Sequence, residues 1–145
     1  AFQEKFPGFV FYSALQQGTH NTVPCLLIDN VGMLARLYHY AAYCYVGGGL
    51  QTSGVHNVLE AAVHRKPVFF GTHYHKYYEA IGLVESGGGL PVAAANGLTE
   101  KIAELAADVT LYKGVAEAAG SYVQRHTGAV QKIMTYIQEK RLLTS

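Results

Sequence analysis

Five short apolar runs, at residues 9–12, 25–28, 44–46, 67–70 and 90–92, are too continuous for strands with one wet face and predict strands buried on both. Between and after them lie stretches with helical spacing, at 33–43 (Leu34, Leu37, Tyr38 and Ala41 on one stripe), 58–64, 77–85 and 99–107, with a long terminal helix expected over about 111–141. Glycine marks the joints, at Gly47-Gly48-Gly49, Gly54 and Gly87-Gly88-Gly89. Strands alternating with helices across glycine-bearing loops specify an α/β domain, a mainly parallel sheet with helices on both faces. Ligands of such sheets sit at the carboxyl ends of the strands, near a switch in strand order. That directs attention to the loops after Ile28, Val46 and Phe70.

At 145 residues the chain has the size of one ordinary domain, so a single compact unit is expected. Its 50% hydrophobic and 14% charged residues exclude an intrinsically disordered chain. A net charge of +1 supplies no field that would imply a nucleic-acid partner or an acidic membrane surface. Cys25 and Cys44 form neither a dense disulfide framework nor a C-x-x-C motif, and both are expected in buried strands, where thiols are inert; a reduced, cytosolic setting follows. Apolar stretches are interrupted well before the roughly 20 residues a membrane-spanning helix needs. The opening, AFQEKFPGF, lacks the apolar region of a signal peptide and an initiator Met, and reads as the tail of a helix ended by Pro7-Gly8. The chain is therefore expected to be a piece of a larger protein, short of one or two βα units at its start.

The segment from Cys44 to Val63, CYVGGGLQTSGVHNVLEAAV, runs strand, glycine loop, helix. Glycines after a strand let backbone approach a ligand, and the N–H groups of a following helix favour a phosphate. The run matches neither G-x-G-x-x-G nor a Walker A motif, so a structural turn and a phosphate cradle stay equally open. Asn57 and Glu60 have the spacing of a capping box; the alternative is that the Glu60 carboxylate accepts two ribose hydroxyls. His56 either meets a phosphate or carboxylate or closes the loop. In GTHYHKYYEA, residues 71–80, Lys76 and His73 bring positive charge toward an anionic ligand while Tyr77 and Tyr78 pack the helix; a metal at His73-x-His75 would need further ligands such as His56 or Glu79. No G-x-S-x-G elbow is present, and Asp29, Glu60 and Glu79 lie on separate elements. The terminal stretch, with Tyr122, Val123, Val130, Ile133, Met134 and Ile137, reads as an amphipathic packing helix rather than a membrane binder.

LLIDNVGML at 26–34, YVGGGLQTSGVHNVLEAA at 45–62, KPVFFGTHYHKYYEA at 66–80 and an R-x-x-G-A run at 125–129 occur together and in order. This combination resembles the C-terminal half of the 3-deoxy-D-manno-octulosonic acid (Kdo) transferases of lipopolysaccharide synthesis. The chain departs from that family in reading Gly71-Thr72-His73 after the Phe-Gly strand and in Val58 after the His-Asn pair. The resemblance implies a GT-B glycosyltransferase, two Rossmann-like domains with the active site between them, of which residues 1–145 are the C-terminal, donor-binding part without its first βα elements. It further implies a CMP-Kdo donor, with Gly48, Gly49, Ser53 and Gly54 at the donor phosphate loop, Glu60 at the ribose, Val31, Gly32 and Met33 in the base pocket, and His56, Asn57, His73 and Lys76 beside them. The implied reaction is inverting transfer of Kdo to a lipid A precursor at the cytoplasmic face of a bacterial inner membrane. It uses no cofactor or metal, no nucleic acid, and a general base on an N-terminal domain that also makes the membrane and acceptor contacts. The fragment alone is expected to be inactive. Rival readings are another GT-B transferase or epimerase using UDP-sugars, or a non-catalytic nucleotide-binding domain.

Overall fold

The computed structural model describes residues 8–15 and 24–142. In chain order these form β1 (Phe9–Phe11), a 3-10 turn (Tyr12–Ala14), β2 (Cys25–Leu27), α1 (Leu34–Leu37), a second 3-10 turn (Tyr38–Tyr40), β3 (Cys44–Tyr45), α2 (Leu59–Ala62), β4 (Val68–Gly71), α3 (Tyr78–Glu85), β5 (Gly89–Val92), α4 (Ala95–Ala107), α5 (Val109–Arg125) and α6 (Ala129–Glu139). The expected strands are all present and all pair in parallel. They form two sheets, β1-β2 and β3-β4-β5, and the chain divides into two compact units, Ala1–Leu37 and Tyr38–Ser145, where its length predicted one. The helix tail expected ahead of Pro7 lies outside the described residues.

In the first unit the register pairs Phe9 with Cys25 and Phe11 with Leu27, and the rings of Phe9 and Phe11 meet edge to face at 5.0 Å. Ser13 donates to the Asp29 carboxylate from its hydroxyl and its main-chain N–H, and the hydroxyl contact chiefly holds Asp29 below the usual carboxylate range. β2 is not the buried strand its apolar run predicted: Cys25 and Leu26 are exposed, because a sheet of two three-residue strands covers little of its own surface. The helix expected over 33–43 shrinks to α1 and a 3-10 turn. Of its stripe, Tyr38 and Ala41 pack against the core of the second unit, whereas Leu34 is exposed.

β4 carries the second unit. Its VFFG sequence is buried throughout, and its side chains alternate between the two faces of the sheet. Val68 and Phe70 face Cys44, Val46, Ala61, Ala62, Ala80, Leu83 and Ala119, so α2 and α3 cover that side; Phe69 faces Val92 and Leu105, with Leu98, Ile102, Tyr112 and Val115 of α4 and α5 around it. Helices thus cover both faces, as the continuous apolar run required, and each fully buried phenyl ring stabilises by about 1.5–3 kcal/mol. α4 starts four residues earlier than its periodicity suggested. Asp108 then ends it and caps α5, its Oδ1 accepting from the N–H groups of Thr110 at 2.8 Å and Leu111 at 3.0 Å.

The long terminal helix is two helices, broken at Gly128, whose φ of 90° leaves the helical region. α5 is held to the core by Ala116, Ala119 and Gly120 and by an ion pair between Arg65 and Glu117. α6 buries none of its residues. Among the described residues, no helix is long and apolar enough to cross a membrane.

Candidate functional site

The loop between β3 and α2 leaves the carboxyl end of the sheet and folds back on itself. Gly49 N–H donates to the Gly54 carbonyl at 2.7 Å and His56 N–H to that of Gly47 at 3.1 Å, which pairs Gly48 with Val55. The loop is seated on β4 and the residues after it: Val46 N–H donates to Phe69 at 2.8 Å, Gly71 N–H to Gly48 at 3.3 Å, and His73 N–H to Gly49 at 2.8 Å. This seat admits no side chains. A Cβ on Gly71 would overlap the backbone of Gly49 and Leu50, and one on Gly54, whose φ is 82°, would overlap the Tyr77 ring. The glycines therefore serve close backbone packing, and the Gly49 N–H is engaged within the loop.

The helix that follows is a single turn, Leu59–Ala62, and its first N–H, that of Leu59, already donates to Asn57 Oδ1 at 3.1 Å. One turn carries little macrodipole, so the helix N-terminus adds little to the attraction of an anion here. Asn57 and Glu60 do not form the reciprocal capping box either. Asn57 caps alone through Oδ1, and its Nδ2 donates to Glu60 Oε1 at 3.0 Å. Glu60 is exposed and held by a side chain rather than by a backbone N–H. Capping thus falls to Asn57 and leaves the Glu60 carboxylate outside the cap.

The loop after β4 comes back over this one. His73 Nδ1 lies 3.1 Å from the Gly49 carbonyl, which can only accept, so Nδ1 carries the ring hydrogen. Tyr74 meets Phe70 edge to face at 5.5 Å, and His75 lies against Tyr74 at 4.3 Å. The Tyr77 hydroxyl donates to the Ser53 carbonyl at 3.2 Å. Tyr78, expected to pack the helix with Tyr77, is 88% exposed because it points away from the core that Ala80 and Leu83 enter.

Tyr77 stands between two clefts. One, of about 340 Å³, is bounded by Val55, His56, Asn57, Leu59, Glu79 and Tyr77 itself; the other, of about 170 Å³, by Thr52, Gly54, His73, His75, Lys76 and the same ring. The structure therefore gathers Ser53, Gly54, His56, Asn57, His73 and Lys76 around one tyrosine, with Gly48 and Gly49 in the seat beneath and Glu60 on the adjoining turn. Val31, Gly32 and Met33 belong to the first unit, where Val31 is fully exposed, Gly32 has a φ of 93° and Met33 Sδ accepts from Asn30 Nδ2 at 2.9 Å.

Tyr77 is the residue that sequence reasoning undervalued. A tyrosine at a helix start has a hydroxyl that must find a partner once the ring is half buried, and that was the available signal. Cys44 is buried, and burial pushes its thiol up to about 11, so it stays protonated at neutral pH. Among the described residues, no group of three or more His, Cys, Asp or Glu side chains is placed to hold a metal ion.

The chain is 27% identical over 128 residues to a 3-deoxy-D-manno-octulosonic acid transferase of Aquifex aeolicus, an alignment covering 86% of this chain and 36% of the relative. It is 28% identical over 138 residues to the enzyme of the same name from Haemophilus influenzae, covering 94% and 32%. A bifunctional glycosyltransferase/methyltransferase of Fusobacterium nucleatum is 38% identical over 66 residues, 45% of this chain and 10% of the relative. In structure, the C-terminal CMP-Kdo binding domain of WaaA from Acinetobacter baumannii is similar with a TM-score of 0.63 at 24% identity, over 69% of this chain and 53% of that one. No protein-family model matches. The chain spans about a third of the length of the Kdo transferases it matches. The likeness carried by the motifs is thereby borne out, and the fold is that of a Rossmann-like C-terminal domain of the GT-B kind.

Proposed function

We propose that this chain is the donor-binding part of a Kdo transferase and that its site takes CMP-Kdo. The observation that carries the reading is the likeness to two enzymes of that name over 86% and 94% of the chain. The geometry supplies residues for it. The nucleotide enters the larger cleft, and Glu60, on the turn beside it and held by Asn57, accepts the two ribose hydroxyls. Gly48 and Gly49 set the loop close to β4, Ser53 and Gly54 form its outer wall against Tyr77, and His56 borders the nucleotide. Lys76, with His73 beside it, offsets the negative charge of the donor.

In the complete enzyme an acceptor hydroxyl of a lipid A precursor attacks the anomeric carbon of Kdo. The new C–O bond forms as the bond to CMP breaks, CMP leaves as an anion, and the hydroxyl proton passes to a base in the part of the relatives that this chain does not span. Fixed dipoles and cationic side chains stabilise the leaving nucleotide, and the reading calls for no cofactor. The acceptor and membrane contacts, at the cytoplasmic face of a bacterial inner membrane, belong to that same remaining part, so the chain by itself transfers nothing.

Calorimetric titration with CMP, and with UMP and UDP beside it, tests the reading. Saturable binding selective for CMP and abolished in Glu60→Ala is the expected result. Selective binding of UDP would replace the reading with a UDP-sugar enzyme, and CMP binding unchanged in Glu60→Ala would remove Glu60 from the ribose.

A further inference from the structure

The two clefts beside Tyr77 differ in charge. The larger is bounded by both a histidine and the Glu79 carboxylate, whereas His73, His75 and Lys76 bound the smaller and no acid does. Lys76 makes no ion pair among the described residues. His73 commits Nδ1 to the Gly49 carbonyl, which leaves Nε2 as the polar atom of its ring for a ligand. The N–H groups of Gly49 and His56 donate inside the loop and that of His73 donates to Gly49, so these three are not turned toward an anion. Neutralising an anion at this end of the sheet falls to side chains, and those side chains converge on one small cleft. Its volume of about 170 Å³, half that of its neighbour, suits a carboxylate with its adjoining carbons rather than a nucleoside.

We propose that the cleft formed by Thr52, Gly54, His73, His75, Lys76 and Tyr77 is a subsite for the carboxylate of an acidic sugar, divided from the nucleotide cleft by the Tyr77 ring. The proposal rests on the donor-binding reading and deepens it by giving the sugar acid a place of its own. Lys76 supplies the charge, His75 and the Thr52 hydroxyl supply donors, Nε2 of His73 accepts from a hydroxyl of the sugar, and the Tyr77 hydroxyl, bonded to Ser53, fixes the wall between the two compartments.

The test is titration of the 145-residue chain with free Kdo, with fructose as a ketose lacking the carboxylate, and with inorganic phosphate, followed through the ring signals of its histidines by NMR. Kdo is expected to shift the His73 and His75 signals saturably and fructose to leave them in place, with Lys76→Gln weakening the Kdo response at least fivefold. Equal responses to Kdo and fructose, no response to Kdo, or a response to phosphate alone would each overturn the subsite. A CMP titration on the same samples reads the larger cleft separately. A Kdo response without a CMP response would strike the nucleotide reading and leave the carboxylate cleft standing, whereas CMP binding without a Kdo response would do the reverse.

Discussion

The loop between β3 and α2 has almost no regular structure and yet is tied down at Gly47, Gly48, Gly49, Ser53, Gly54 and His56; α6 is a regular helix of 11 residues and buries none of them. The loop's hold comes from backbone contacts that glycine alone permits, at Gly49, Gly54 and Gly71, together with the Tyr77 hydroxyl. Regularity and rigidity are separate properties here: a helix satisfies its own hydrogen bonds and needs nothing from its surroundings, while a loop must borrow partners and is fixed by borrowing them.

The largest effect that would break this contrast is at the seat. Gly71→Ala inserts a methyl group where the backbone of Gly49 and Leu50 runs, and is expected to destabilise by about 1–3 kcal/mol and to abolish CMP binding. Urea unfolding within about 0.5 kcal/mol of the parent chain would show that the seat gives way freely. Asn57→Ala comes next: loss of the Leu59 cap is expected to cost about 1 kcal/mol, and release of Glu60 to weaken CMP binding further than the stability change explains. Parallel melts and titrations of Asn57→Ala and Asn57→Asp separate the two, since Asp caps as well as Asn but repels Glu60.

α5 is the intermediate case, held partly by an exposed ion pair. Hydrogen bonds from Arg65 and then Ser121 hold Glu117 below the usual carboxylate range. Its folded pKa is depressed, so its contribution is fully present above the ordinary value of 4.5 and is lost as the pH falls through the lowered one. Thermal melts between about pH 6 and about pH 3 should show the gap between the parent chain and Glu117→Gln closing at the acid end, and a gap that stays constant would remove the ion pair from the account. The smallest effect belongs to α6: Ile133→Ala is expected to change the stability of this 145-residue chain by less than about 0.5 kcal/mol. A larger loss would mean that the helix is packed after all.

What could be read in the sequence followed from periodicity. VFFG at β4 has no polar residue to turn outward, so burial on both faces was its single outcome, and Asn57 with Glu60 announced the start of a helix. Similar apolar runs at β1 and β2 misled, because an apolar strand is buried only if something covers it, and periodicity says nothing about cover. The long terminal helix failed at Gly128, whose backbone conformation interrupts an otherwise suitable pattern. The site was legible as a set of residues and not as a shape. His56, Asn57, His73 and Lys76 were picked out by type, whereas their division into two clefts depends on the Tyr77 ring meeting Gly54, a contact across 23 positions that no local pattern encodes (77 less 54).

The two cysteines have a use that neither burial nor chemistry alone would suggest. Cys44 is enclosed in the core beneath the sheet with its thiol held protonated, while Cys25 is exposed on β2. A thiol-directed fluorophore or spin label added to the unaltered chain will therefore attach once, at Cys25. The segment that leads to Val31, Gly32 and Met33 thus comes with its own attachment point, and a signal from that point can be followed during CMP addition without changing a single residue.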